Sequence, residues 1–219
     1  QKSSLLNGIN IVLKAVPAKT TMSILECILI DATGDDIKLT ANDMELGIET
    51  TVEGSILERG RIAIEAKLFS EIIRRLPDSE VIVEVDDNLR VSITCEKADF
   101  KIAGKSAEEF SYLPTIEKEK YISVSQFTLK EIIRQTLFSI APGDVNKLMT
   151  GELFEVHENE LKVTSLDGHR ISIRKVSLRD SYADQKVVVP GKTLSEISKI
   201  LSGDSDKDVL IFFGRNHIL

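Results

Sequence analysis

Leu5, Leu6, Ile9, Val12, Leu13 and Val16 recur at helical spacing and leave Asn7, Asn10 and Lys14 on the opposite face. This predicts an amphipathic helix over residues 5–16, ended by Pro17. Strand-like runs follow at 24–30, 37–39, 46–52 and 61–64, and Thr33, Gly34, Asp35 and Asp36 form a turn composition between the first two. Residues 67–76 read as a second amphipathic helix, stopped by Pro77. Residues 81–85, 89–95 and 100–103 alternate as three further strands. After the charged linker 117–120 the order of helix, strands, helix, strands begins again at Ser125. A third helix is expected over 128–141, ended by Pro142, and a fourth over 192–201.

This recurrence is a repeat in the residues themselves. Lys67, Ser70, Glu71, Ile72 and Leu76 return as Lys192, Ser195, Glu196, Ile197 and Leu201, a spacing of 192 − 67 = 125. Pro17 and Pro142 stand 142 − 17 = 125 apart. Residues 37–43 match 161–167 at 161 − 37 = 124. Three markers in one order at a spacing of 124 or 125 indicate a duplicated domain, since solenoid repeats run at roughly 20–50 residues. Two helices on a meandering antiparallel sheet, occurring twice in tandem, make the fold class α+β. The expected domains are 1–120 and 121–219. The first is expected to lack an N-terminal strand. The second is expected to be cut within a hairpin near 209–219, because an unpaired edge strand is a liability.

Composition narrows the classes further. The chain is 42% hydrophobic and 29% charged, which fits folded domains and excludes disorder. Net charge is 28 − 35 = −7, an argument against a uniformly basic nucleic-acid-coated surface. One basic face can nevertheless sit on an acidic body. Cys27 and Cys95 lie in apolar runs and read as buried free thiols of a reducing compartment. No apolar stretch approaches the ~20 residues that span a bilayer, so a cytoplasmic protein is expected.

Catalytic chemistry finds little support. His157, His169 and His217 are the only histidines and none has a partner at metal-ligand spacing, so neither metal nor cofactor is expected. Carboxylates such as Asp35, Asp36, Asp86 and Asp87 sit in turns, where a solvated surface explains them better than an acid/base pair. Two segments stand out. The first is Leu166, Asp167, Gly168, His169, Arg170 and Ile171, which reads either as a tight turn that needs Gly168 or as a binding lip. Its counterpart at 42–46 lacks the Gly-His-Arg, which favours a function for the second copy.

The other segment is a set of cations at helix ends: Lys14, Lys19, Arg74, Arg75, Lys130, Arg134, Lys147 and Lys199. Helix dipoles explain several of them. Their recurrence on equivalent helices, Lys199 standing where Arg74 stands, suggests a surface that attracts phosphates without reading bases. A duplicated protein-interaction scaffold without a DNA role is the alternative, and a carboxylate hydrolase is a third reading.

Several motifs in order resemble the bacterial sliding clamps, the beta subunits of the DNA polymerase III holoenzyme. They are residues 39–45, Leu76-Pro77, 100–104, 107–110, Leu113-Pro114, 148–154, 167–170 and 189–192. The resemblance covers essentially the whole chain. It implies the DNA clamp fold and a three-domain chain that dimerises head to tail into a ring around duplex DNA, with helices lining the hole. A third domain absent from this chain would complete it. The implied function is non-catalytic processivity, with docking of polymerase, clamp loader and repair proteins through short peptide motifs, in the bacterial cytoplasm at the nucleoid. The resemblance assigns Met149, Leu166, Gly168, His169, Arg170 and Ile171 to the peptide cleft. Where the family commonly has Thr before the Asp, this chain has Leu166, which makes the lip more apolar. The family's proline-rich turn here reads 19–25 without prolines, although Lys19 keeps a charge that faces DNA in the family.

Overall fold

The computed structural model describes residues 1–143 and 146–219. Contacts divide them into two compact units, Gln1–Leu113 and Pro114–Leu219, each with its own apolar core. Both place helices against antiparallel sheets, which is the expected α+β class.

In the first unit α1 (Lys2–Val12) precedes β1 (Cys27–Asp31), β2 (Ile37–Asn42), β3 (Gly47–Val52) and β4 (Arg61–Glu65), which form one sheet in the order β3-β2-β1-β4. Gly8 lets α1 lie close on this sheet, because a Cβ there would stand 2.5 Å from Val52 Cγ2. Next come α2 (Ala66–Arg75) and a three-stranded sheet of β5 (Ile82–Val85), β6 (Arg90–Cys95) and β7 (Ala98–Ala103). Glu65 starts α2 by accepting from the amides of Lys67 and Leu68, each at 3.2 Å, a side-chain N-cap. Cys27 and Cys95 are buried free thiols, and burial pushes the Cys27 thiol above its ordinary range.

Three expectations change at element ends. The first helix, expected over 5–16, is α-helical only over Lys2–Val12 and continues as a 3-10 turn over Leu13–Ala15, with Val16 already extended. Residues 23–26 curl into a short 3-10 turn instead of opening β1. The consecutive residues Ile24 and Leu25 both enter one apolar cluster with Phe110, which a strand with alternating faces does not allow. The third helix, α3, spans Gln126–Thr136, and only a 3-10 turn carries on from Leu137 to Ser139. Pro142 disfavours helix at Ala141, and Ile140 is already extended at φ −70° and ψ 153°.

The second unit begins with β8 (Tyr121–Ser125) and α3, whose cap is Ser125 Oγ accepting from the Thr128 amide at 3.1 Å. Two long strands follow, β9 (Gly151–Leu166) and β10 (Ile171–Pro190), then α4 (Gly191–Ile200) and β11 (Asp208–Phe212), which pairs with β8. β9 is not straight. Lys162 reaches Glu155 at 2.9 Å across seven positions, a span of about 23 Å in an extended strand. The chain therefore doubles back between them, at Glu158 with φ +50°.

Each half of β10 serves one half of β9: Ile171 to Ser177 pair with Leu166 to Glu160, and Gln185 to Pro190 with Val156 to Gly151. The β3-β2-β1-β4 order of the first unit is thus rebuilt from two bent strands. Register makes the repeat explicit, because Ile28 opposite Ile64 corresponds to Glu152 opposite Val189.

Candidate functional site

The turn between β9 and β10 is built around one carboxylate. Asp167 Oδ1 accepts from the amides of His169 at 3.0 Å and Arg170 at 3.1 Å, and Oδ2 accepts from Arg170 Nε at 2.8 Å. The His169 amide contributes most to holding the Asp167 carboxyl below its usual range, and the amide and guanidinium of Arg170 add to it. Gly168 takes φ +88°, the left-handed region that glycine enters without strain. The backbone turn therefore exists for a structural reason. The side chains it carries are a separate matter.

His169, Arg170 and Ile171 are all exposed, Ile171 by 60%, whereas Leu166 is half-buried. The Arg170 guanidinium lies 5.8 Å from the centroid of Phe138, itself 59% exposed. Met149 is half-buried in the segment before β9, where its carbonyl accepts from the Ala141 amide at 2.8 Å. Beneath the turn, Ser165 Oγ donates to the Thr136 carbonyl and Ser139 Oγ bonds Ser172 Oγ, both at 2.6 Å. These two bonds fasten the hairpin to the end of α3.

The first unit contains the same turn with different side chains. Asp43 Oδ1 accepts from the amides of Glu45 at 3.1 Å and Leu46 at 2.8 Å, and Met44 takes φ +75° where the second unit has Gly168. Leu46, in the position of Arg170, is buried instead of exposed. One backbone device is used twice, and the side chain at its end is buried in the first unit and exposed in the second.

The cations fall into two groups. Lys14, Lys19, Arg74, Arg75 and Lys147 are exposed and make no ion pair among the described residues, although Arg74 reaches Ser70 Oγ at 3.4 Å. The others are engaged. Arg134 forms a fork on Glu131 at 2.8 and 2.7 Å, and Lys199 bonds Glu196 at 2.6 Å. Lys130 is half-buried and donates to the Leu201 carbonyl at 2.8 Å. The hydrogen-bonded guanidinium of Arg134 holds the Glu131 carboxyl below the ordinary carboxylate range.

Phe138 is the residue that periodicity overlooks. It lies inside the stretch expected to be helical yet off the buried stripe of Leu129, Ile132, Ile133 and Thr136, and that displacement was its signal. Leu148, 69% exposed, is a second such residue. Among the described residues no group of His, Cys, Asp and Glu is arranged to hold a metal ion, and no helix is long and apolar enough to cross a membrane.

Residues 1–114 match the N-terminal domain of the DNA polymerase III beta subunit, and residues 123–219 match its central domain. The beta sliding clamp of Staphylococcus epidermidis is 36% identical over 98% of this chain, and that of Staphylococcus aureus is 33% identical over the same share. Among solved structures, a putative DNA polymerase III beta subunit from Eubacterium rectale superposes with a TM-score of 0.98 at 62% identity over 99% of this chain. The sliding clamp of Bacillus subtilis gives 0.96 at 36% identity over 100%. The chain spans 59% of the length of the Staphylococcus proteins and 60% of the length of the two solved chains. Both units match in order, and the chain belongs to the DNA polymerase III beta subunit family of bacterial sliding clamps.

Proposed function

We propose that this chain is the larger part of a DNA sliding clamp. Such a clamp is a non-catalytic processivity factor that encircles duplex DNA and docks the replicative polymerase, the clamp loader and repair proteins. On this reading residues 1–120 and 121–219 are two of its three domains, and the complete protein closes head to tail into a homodimeric ring in the bacterial cytoplasm, at the nucleoid. The observation that carries the docking role is the turn that the units share. Only the second unit turns Gly168, His169 and Arg170 outward, beside Ile171 and Phe138. Leu166 and Met149 extend that lip for a short apolar peptide.

Phosphate attraction rests chiefly on Lys14, Lys19, Arg74, Arg75 and Lys147. Arg134 and Lys199 contribute less, because their charges are already partnered. Lys130 contributes least, since its ammonium is held by the end of α4. Weak, sequence-independent contacts suit a ring held by topology, because tight binding would stop sliding. The net charge of −7 keeps the remaining surface from adhering to the duplex.

The test compares DNA forms. The protein is extended to the full length of its relatives, loaded on nicked circular duplex, and its retention is followed before and after the circle is cut once. Retention on the circle with rapid loss from the linear form is expected. Equal loss from both would sink the clamp reading.

A further inference from the structure

The second unit buries a carboxylic acid where the first buries an isoleucine. Glu152 and Ile28 hold the same register position in the repeated sheet, and both are 0% exposed. Among the described residues neither oxygen of Glu152 has a hydrogen-bond partner. Its strand packs against α3, the 3-10 turn after α3, β10 and α4, and no charged group on any of them acts on the carboxyl among the described residues. Burial is the main influence on it and raises its pKa to about 7. Among the described residues Thr136 is the one polar side chain that also acts; a hydroxyl proton turned toward the carboxyl would lower the value, but no such hydrogen bond is formed.

The chemistry of Thr136 decides which form of the acid fits. Its hydroxyl donates its single proton to the Ile132 carbonyl at 2.7 Å, so it offers Glu152 only lone pairs. A carboxylate also has only lone pairs, whereas the neutral acid has an O–H to give. The backbone carbonyl of the same Thr136 holds Ser165 Oγ at 2.6 Å, two residues before Asp167. Thr136 thus stands between the buried acid and the hairpin that carries the turn.

We propose that Glu152 is a proton-holding positioning residue: kept neutral, it leaves Thr136 and, through Ser165, the turn of Asp167, Gly168, His169 and Arg170 in place, and its ionisation loosens that turn. Ionisation places an unpaired charge in the core, and relief requires Thr136 to move or water to enter. Either change acts on the Thr136–Ser165 bond. A consequence for peptide docking rests on the proposed function, but the seating of the turn does not.

The experiment uses this chain and needs no peptide. Amide hydrogen exchange at His169 and Arg170 is measured by NMR from pH 5.5 to 8.5, corrected for intrinsic rates, alongside the carbon-13 shift of the Glu152 carboxyl. The variants are Glu152→Gln, which stays neutral and can still donate, and Glu152→Ile, the residue at this register in the first unit. His169 is retained throughout, so it is common to every arm of the comparison. Protection of the turn in the parent should fall roughly tenfold across the Glu152 titration, about 1.4 kcal/mol of opening free energy. It should stay flat in both variants. Parallel pH profiles in parent and variants, or a Glu152 carboxyl that titrates in the ordinary carboxylate range, would overturn the proposal. If the turn responds as expected while peptides fail to bind it, the docking reading alone fails.

Discussion

Lys130 Nζ on α3 donates to the carbonyl of Leu201, the residue that ends α4, at 2.8 Å. The bond ties two helices of one unit and satisfies a carbonyl that the helix end leaves open. Lys130→Met should therefore act on stability. The expected loss is about 1–2 kcal/mol, read as a lower urea midpoint for the second unit's transition. A variant that keeps its midpoint but loses DNA affinity would reverse this assignment.

Neutralising Arg74, Arg75 and Lys147 together should do the opposite. These side chains are exposed and outside any ion pair among the described residues, so their loss costs little folding free energy. In the complete protein, the slope of log affinity for duplex DNA against log salt should shrink by up to about 0.9 per phosphate contact removed. Glu131→Gln should steepen the same slope by freeing the Arg134 fork. An unchanged slope in both variants would place these cations away from the DNA.

The turn has an acid limit. Asp167 is held below its ordinary value of 3.8, so its contribution is present above that value and is lost as pH falls through the lower, folded one. Docking of a short apolar peptide should therefore persist at pH 5 and fail only in stronger acid. Asp167→Ala should weaken it by roughly tenfold at neutral pH, since the turn loses several charge-assisted bonds. Gly168→Ala meets open space but a φ of +88°, and should cost about 1–2 kcal/mol of turn stability without touching any neighbour. Isothermal titration with the peptide reads both variants.

Glu152 gives a stability profile of unusual sign. Its folded value, about 7, lies above the ordinary 4.5, so the unfolded chain ionises first and stability falls as pH rises between the two. Glu152→Ile should remove that fall and gain about 3 kcal/mol above pH 7.5, the difference between the two values expressed as free energy. Urea midpoints at pH 5 and pH 8 measure it. A parent protein equally stable at both pH values would contradict the assignment.

Helices and repeat were legible because they depend on spacing. The stripe of Leu129, Ile132 and Ile133 and the stop at Pro77 are written in single residues, and so is the Asp-Gly pair of the turn. Element ends were less so. Ile24 and Leu25 have strand composition, and only their shared burial against Phe110 curls them into a turn. The partners of cations were not legible at all. Lys130 and Arg134 lie four positions apart on one helix, yet one crosses to α4 and the other folds back on Glu131, choices set by what tertiary packing brings near. Glu152 escaped for the same reason, because nothing in a Gly-Glu-Leu run says that the acid faces inward.

The doubled-back strand has a kinetic consequence. β9 and β10 each pass through both halves of one sheet, and β9 turns back on itself at the bend near Glu158. In the first unit four separate strands make that sheet, and an outer strand can fray while its neighbours hold. In the second, tearing either segment opens two hydrogen-bonded ladders at once. The unit that carries the outward turn is therefore the one whose sheet yields as a single block.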